Sequence, residues 1–172
     1  ALKTITFTPN VFNTASGSVL RWMQGVFRNC VNLETADLNS WVLTSLGGTT
    51  GGECAYMFLG CTKLTMVDLC AWKIAGSGSN ADDFRCTSMF QDCRLLRTIY
   101  VGKDWVQARI KGNSNMFQRC VAIKGADGTV YRSTDTADAA RSLYALVGGG
   151  GYLCSKTTLG DIWWALDGNG NL

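Results

Sequence analysis

Two rhythms alternate along this chain. Four segments carry a flexible apolar residue, a phenylalanine, two mostly polar residues and a cysteine: Val26-Phe27-Arg28-Asn29-Cys30, Met57-Phe58-Leu59-Gly60-Cys61, Met89-Phe90-Gln91-Asp92-Cys93 and Met116-Phe117-Gln118-Arg119-Cys120. Their phenylalanines are 31, 32 and 27 residues apart. Three residues past each cysteine comes an aliphatic (Leu33, Leu64, Leu96, Ile123), then a gap, then an apolar alternation: Ala36 and Leu38, Val67 and Leu69, Ile99 and Val101. Leu2, Ile5 and Phe7 repeat this second half alone, and Trp41, Trp72 and Trp105 follow the three full copies.

A spacing of three predicts that each Phe and its Cys share one face of a single helical turn, and a period of two predicts a short strand with one face inward. One such unit cannot bury its apolar side alone, so the pattern predicts stacking. The expected fold class is therefore α/β: a solenoid of short parallel strands and single helical turns, with irregular loops and a C-terminal hairpin. Its inner column would hold Phe27, Cys30, Leu33, Phe58, Cys61, Leu64, Phe90, Cys93, Leu96, Phe117 and Cys120. The solenoid with its terminal cap is expected over residues 1–154. Residues 155–172, where Ile162-Trp163-Trp164-Ala165-Leu166 precedes Asp167-Gly168-Asn169-Gly170-Asn171, read as a β-hairpin or the opening of a further β module.

Composition narrows the function classes. Of 172 residues, 47% are hydrophobic and 17% charged, which argues against global disorder. No apolar run approaches the roughly 20 residues of a membrane span. A scattered net charge of +3, without basic residues interleaved with aromatics, gives no nucleic-acid surface. Histidine is absent, which removes the commonest general base and a favoured zinc ligand. One proline (Pro9) against 20 glycines means turns built from Gly, Asn, Ser and Thr. Ala1 falls inside a motif, so the chain reads as an excised fragment with any targeting signal outside it.

The copies Met23 to Trp41 and Met57 to Trp72 resemble the Met-Phe-x-x-Cys-x-x-Leu repeats of BspA-type leucine-rich-repeat bacterial surface proteins. Gly125-Ala126-Asp127-Gly128-Thr129-Val130-Tyr131 is similar to the ending of that array, and Gly151-Tyr152-Leu153 to its closing motif. The resemblance covers roughly residues 1–154. Longer Gly- and Ser-rich loops, Leu43 to Glu53 and Ile74 to Arg85, replace the family's short link. The resemblance implies an extracellular location on a bacterial cell surface and attachment to a host or microbial surface protein or glycan. A structural spacer within a larger surface protein is the alternative. A monomer without cofactor is expected.

Candidate chemistry is sparse. The outward strand positions, Thr4, Thr6, Thr35, Asp37, Met66, Asp68, Thr98 and Tyr100, would stack into a shallow mixed strip, either a binding surface or a solvated sheet face. The repeat cysteines read as buried thiols packing as small hydrophobes, since no Cys-x-x-Cys or Cys/His knuckle offers a metal site. Cys54 and Cys86, each four residues before a repeat phenylalanine, are either a disulfide or two free thiols; Cys70 and Cys154 have no evident partner. Trp41, Trp72 and Trp105 are either a stacking ledge or packing on the loop side. Asp82-Asp83 and Asp135 with Asp138 read as turn caps rather than acid–base pairs. Gly76-Ser77-Gly78-Ser79 lacks the spacing of a phosphate loop or nucleophile elbow. No catalytic constellation emerges, so no enzyme is expected.

Overall fold

A computed structural model of the chain describes residues 2–6, 12–13, 22–39, 41–42, 54–72, 84–105, 110–111, 114–131, 149 and 151–155. The hairpin expected from Ile162 onward, Phe7, the Asp82-Asp83 and Asp135/Asp138 pairs, most of the two long loops and the Gly76–Ser79 stretch lie outside these residues.

The period-two segments form strands. β1 (Thr4–Thr6), β3 (Thr35–Asp37), β5 (Met66–Leu69), β7 (Thr98–Val101) and β9 (Cys154–Ser155) make one five-stranded parallel sheet in that order. Equivalent residues of successive repeats are paired, Thr4 with Thr35, Thr35 with Met66 and Met66 with Thr98. Two smaller parallel pairs accompany it: β2 (Phe12–Asn13) with β4 (Trp41–Val42), and β6 (Phe84–Arg85) with β8 (Ile110–Lys111). Ile5, Ala36, Val67 and Ile99 point into the core, as the alternation requires.

The Phe-x-x-Cys segments differ from expectation. The described residues contain strands and turns and no helix. In place of a helical turn each segment makes consecutive four-residue turns: Cys61 N donates to Phe58 O (3.0 Å) and Cys93 N to Phe90 O (3.1 Å). The residue before each cysteine has positive φ (Asn29 59°, Gly60 75°, Asp92 62°, Arg119 63°), which a right-handed helix excludes and the third residue of a type II turn requires. Asn, Gly and Asp tolerate that conformation best; Arg119 adopts it as well.

These turns also reach their neighbours. Phe27 N donates to Met57 O, Phe58 N to Met89 O and Phe90 N to Met116 O, each at 2.9 Å. Residues two away on either side do the same, as Gly25 to Ala55 O and Asn29 to Leu59 O. A helix would have used every N–H internally. Here alternate N–H groups are released to the next repeat, always from the earlier to the later one.

Inside, the phenylalanine rings stack. Phe27–Phe58, Phe58–Phe90 and Phe90–Phe117 centroids are 5.2, 5.6 and 5.9 Å apart, with interplanar angles of 24°, 6° and 9°. Leu33, Cys61, Leu64, Cys93, Leu96 and Cys120 are buried beside them, and Cys30 is half-buried. Trp41 and Trp72 are buried and stacked at 6.4 Å, so these two are core packing rather than a ledge; Trp105 is half-buried against the same core. Leu2, expected inward with Leu33 and Leu64, is 52% exposed.

The fourth repeat closes differently. Where its strand would fall, Gly125 N bonds Thr129 O (2.8 Å) and Lys124 bridges Val130 antiparallel. β9 takes the vacant place beside β7, pairing Cys154 with Tyr100. Gly125 permits this: a Cβ there would collide with the carbonyl oxygen of Gly151. Tyr152 sets its ring edge-on to Phe117 at 5.4 Å and ends the aromatic column.

Candidate functional site

The outer face of the sheet gathers most of the residues singled out for binding. Parallel register aligns them in two rows across the strands. Thr4, Thr35, Met66 and Thr98 form one; Thr6, Asp37, Asp68, Tyr100 and Cys154 form the other. Thr4 and Thr6 are exposed, and Thr35, Asp37, Met66, Thr98 and Tyr100 are half-buried. Thr35 Oγ1 lies 3.4 Å from Thr4 Oγ1, a weak hydroxyl contact along the first row.

Asp68 departs from the expected strip. It is only 1% exposed, and its carboxylate accepts the backbone N–H of Cys70 at 2.9 Å. Asp37 does likewise with Asn39 N–H at 3.0 Å. An aspartate at a strand end satisfies the N–H two residues on, forming an Asx turn. The chain then bends so that Trp41 N meets Leu38 O (2.9 Å) and Trp72 N meets Leu69 O (3.0 Å), which explains the three-residue step to these two tryptophans. Both carboxylates thus form turns, and the outward face otherwise carries threonine hydroxyls, the Met66 thioether and the Tyr100 phenol.

Charge frames the strip along the residues just before the strands. Lys3 and Glu34 form an exposed ion pair of 3.6 Å, worth little energetically. Arg97 and Lys124 are exposed and adjacent, with Lys124 N donating to Arg97 O at 3.0 Å.

The cysteines do more than fill space. None of the eight is in a disulfide, Cys54 and Cys86 included. Cys61 Sγ donates to Phe27 O (3.0 Å), Cys93 Sγ to Phe58 O (3.1 Å) and Cys120 Sγ to Phe90 O (2.9 Å). Each buried thiol therefore ties its repeat to the backbone of the one before. Burial pushes Cys61 from 9.0 up to about 12, and lifts Cys86, Cys93 and Cys120 well above the ordinary thiol range. These groups stay protonated, as donors must, and are poor nucleophiles and poor metal ligands. Among the described residues no group of three His, Cys, Asp or Glu side chains is placed to hold a metal ion, and no helix is long and apolar enough to cross a membrane.

Sequence reasoning missed the thiol–carbonyl bonds, the left-handed residues before each cysteine and the completion of the sheet by β9. Asn29, Gly60 and Asp92 at one repeat position are the signal that would have indicated a turn. No family model, curated protein or solved structure matches the chain.

Proposed function

We propose that the chain is a leucine-rich-repeat solenoid of the BspA-like kind, an extracellular module on a bacterial cell surface that binds a host or neighbouring-cell protein or glycan and catalyses nothing. The observation that carries this reading is the outer face of the parallel sheet. Its two in-register rows form a shallow continuous strip that mixes hydroxyls with Met66 and Tyr100. A strip of this kind suits an extended partner, because neighbouring strands offer donors, acceptors and apolar contact at regular intervals. The absence of histidine from the sequence and the commitment of Asp37 and Asp68 to turns favour recognition over acid–base chemistry. The stacked phenylalanines and the repeat-to-repeat register support the solenoid assignment. The Met-Phe-x-x-Cys motif supports the family assignment.

Binding of the chain to an array of matrix proteins and glycans tests the function. The double variant Met66→Ala/Tyr100→Ala should keep the parent's stability to within about 1 kcal/mol, because both side chains face outward. It should lose about tenfold or more in affinity for any ligand found, as the loss of an interface anchor does. Unchanged binding by the folded double variant rules the strip out. Binding to nothing on the array favours the spacer role.

A further inference from the structure

The row of residues that precedes the strands does not carry its charge evenly. Lys3 and Glu34 neutralise each other at 3.6 Å, and Thr65, next in the row, donates its hydroxyl to Glu34 O at 2.9 Å. Arg97 and Lys124 follow on the last two layers, held side by side by the bond from Lys124 N to Arg97 O at 3.0 Å. Both are exposed, and neither makes an ion pair among the described residues. Asp127, three residues past Lys124, folds onto its own backbone: Oδ1 accepts Thr129 N at 3.0 Å and the Thr129 hydroxyl at 2.6 Å. Two like charges on neighbouring layers, about 5 Å apart at the backbone, repel one another. An anion lying between them relieves both. Tyr100 stands at the same end of the sheet. It and Thr98 are outward residues of β7, three and one positions after Arg97, and its half-buried ring combines an apolar face with a polar tip.

We propose that this end of the strip binds a glycan whose sugar rings carry carboxylates, a uronic-acid chain. The Arg97 guanidinium and the Lys124 ammonium hold one carboxylate between two layers, and the planar fork of Arg97 takes both oxygens. The C–H face of a sugar ring lies on the Tyr100 ring, and the Thr98 hydroxyl bonds a sugar hydroxyl. An acidic peptide is the poorer match. Peptides on sheets gain affinity by pairing with a free strand edge or by lowering side chains into pockets. Here the N–H groups of Arg97, Thr98 and Lys124 are spent within the ladder, on Thr65 O and Arg97 O, and the face is shallow. This inference rests on the reading of the outer sheet face as a binding strip, and adds the class of ligand and the end that takes it.

The test is binding of the full chain to hyaluronan, polygalacturonate and alginate. The carboxyl-reduced form of each, dextran sulfate and poly-glutamate serve as comparisons. At least one uronate polymer should bind about tenfold or more tightly than its carboxyl-reduced form and than poly-glutamate. Its binding should weaken as NaCl rises from about 50 to about 300 mM, because exposed charges are screened. Arg97→Gln/Lys124→Gln should lose about tenfold in affinity, and the salt dependence with it, while its melting temperature stays within about 2 °C of the parent's. Tyr100→Ala should lose about tenfold and keep the salt dependence. Uronate binding that survives Arg97→Gln/Lys124→Gln overturns the site. Tighter binding of poly-glutamate assigns the patch to acidic peptides and overturns the glycan. Equal binding of dextran sulfate and the uronates, unmoved by Tyr100→Ala, is charge attraction alone and also overturns it. Binding to no uronate polymer overturns the inference outright. The strip reading falls with it only if Met66→Ala/Tyr100→Ala also leaves every ligand found on the array bound as before.

Discussion

The aromatic column ends in two different ways. At its C-terminal end the last ring, Phe117, is covered edge-on by Tyr152, and Tyr131 lies 6.3 Å from Tyr152. The backbone is closed off as well: Arg119 N donates to the Tyr131 hydroxyl at 3.1 Å, where Asn29, Gly60 and Asp92 at the same position donate to the next repeat's carbonyl. A phenol oxygen stands in for the missing backbone acceptor. At the N-terminal end nothing comparable is seen among the described residues, and Trp22 and Val26 are 66% and 51% exposed. A repeat is self-sufficient in neither hydrogen bonds nor packing, so each end needs something outside the motif. Among the described residues, Tyr131 and Tyr152 supply it at the C-terminal end.

The largest effect that separates ends from interior should come from the rings. Phe90 is stacked on both sides, by Phe58 and Phe117, and is fully buried. Phe90→Ala should cost about 3–5 kcal/mol, because the neighbouring rings cannot collapse into the space. Phe27 has a stacked ring on one side and Trp41 tilted beside it, so Phe27→Ala should cost about half as much. Urea denaturation measures both. Equal losses would mean that the first repeat is as well enclosed as the third.

The cap can be broken without touching a ring. Gly125→Ala places a methyl group against the Gly151 carbonyl, a backbone atom that moves only if β9 moves. The expected loss is about 2–3 kcal/mol, within the range for overpacked backbone contacts. Near-UV circular dichroism should show Tyr152 leaving Phe117. Gly128→Ala strains φ alone, at +82° with nothing near its Cβ, and should cost only about 1 kcal/mol. A loss below about 0.5 kcal/mol at Gly125, whose φ is not positive, would mean that docking of Gly151 adds nothing.

How far these contrasts are legible in the sequence depends on range. The strands follow from local alternation: Ala36, Val67 and Ile99 are buried where period two puts them. The stacking of Phe27, Phe58, Phe90 and Phe117 follows from the long period, because side chains at one repeat position fall into one row. The turn geometry does not follow. A spacing of three fits a helical turn and a pair of β-turns equally; the positive φ of Asn29, Gly60, Asp92 and Arg119, and of Gly25, Tyr56, Ser88 and Asn115 two residues ahead of each phenylalanine, separates them. Asp68 was misplaced for a related reason, since alternation ignores a short side chain curling back to its own backbone. β9 was invisible as a strand partner because Cys154 and Ser155 lie outside the repeat and are brought to β7 by tertiary packing.

Alkaline pH probes the interior thiols together. Burial raises Cys61 to about 12 and lifts Cys86, Cys93 and Cys120 above 9.0, so the folded state holds protons that the unfolded chain releases. A raised folded value means full stability below about pH 9 and a loss as pH climbs from there towards the folded value. Each such thiol should remove about 1.4 kcal/mol per pH unit across that window. Denaturation between pH 8 and 10.5 should therefore show a steep decline, and Cys120→Ala should make it shallower by one thiol's share. A flat profile would mean that the thiols are open to solvent.

The smallest effect addresses one sulfur–oxygen contact at a time. Cys93 Sγ donates to Phe58 O at 3.1 Å, and that carbonyl also accepts Cys61 N at 3.0 Å. Cys93→Ala leaves the carbonyl its backbone partner, so the loss is one weak donor and a small volume, about 1–2 kcal/mol. Cys30→Ala removes a half-buried sulfur that makes no equivalent bond to a preceding repeat, and should cost less than about 0.5 kcal/mol. The difference between the two, measured below pH 8 so that ionisation plays no part, is the contribution of a preceding repeat to one thiol. If the two substitutions cost the same, the Phe58 carbonyl contributes nothing, and the thiols stabilise the column by packing alone.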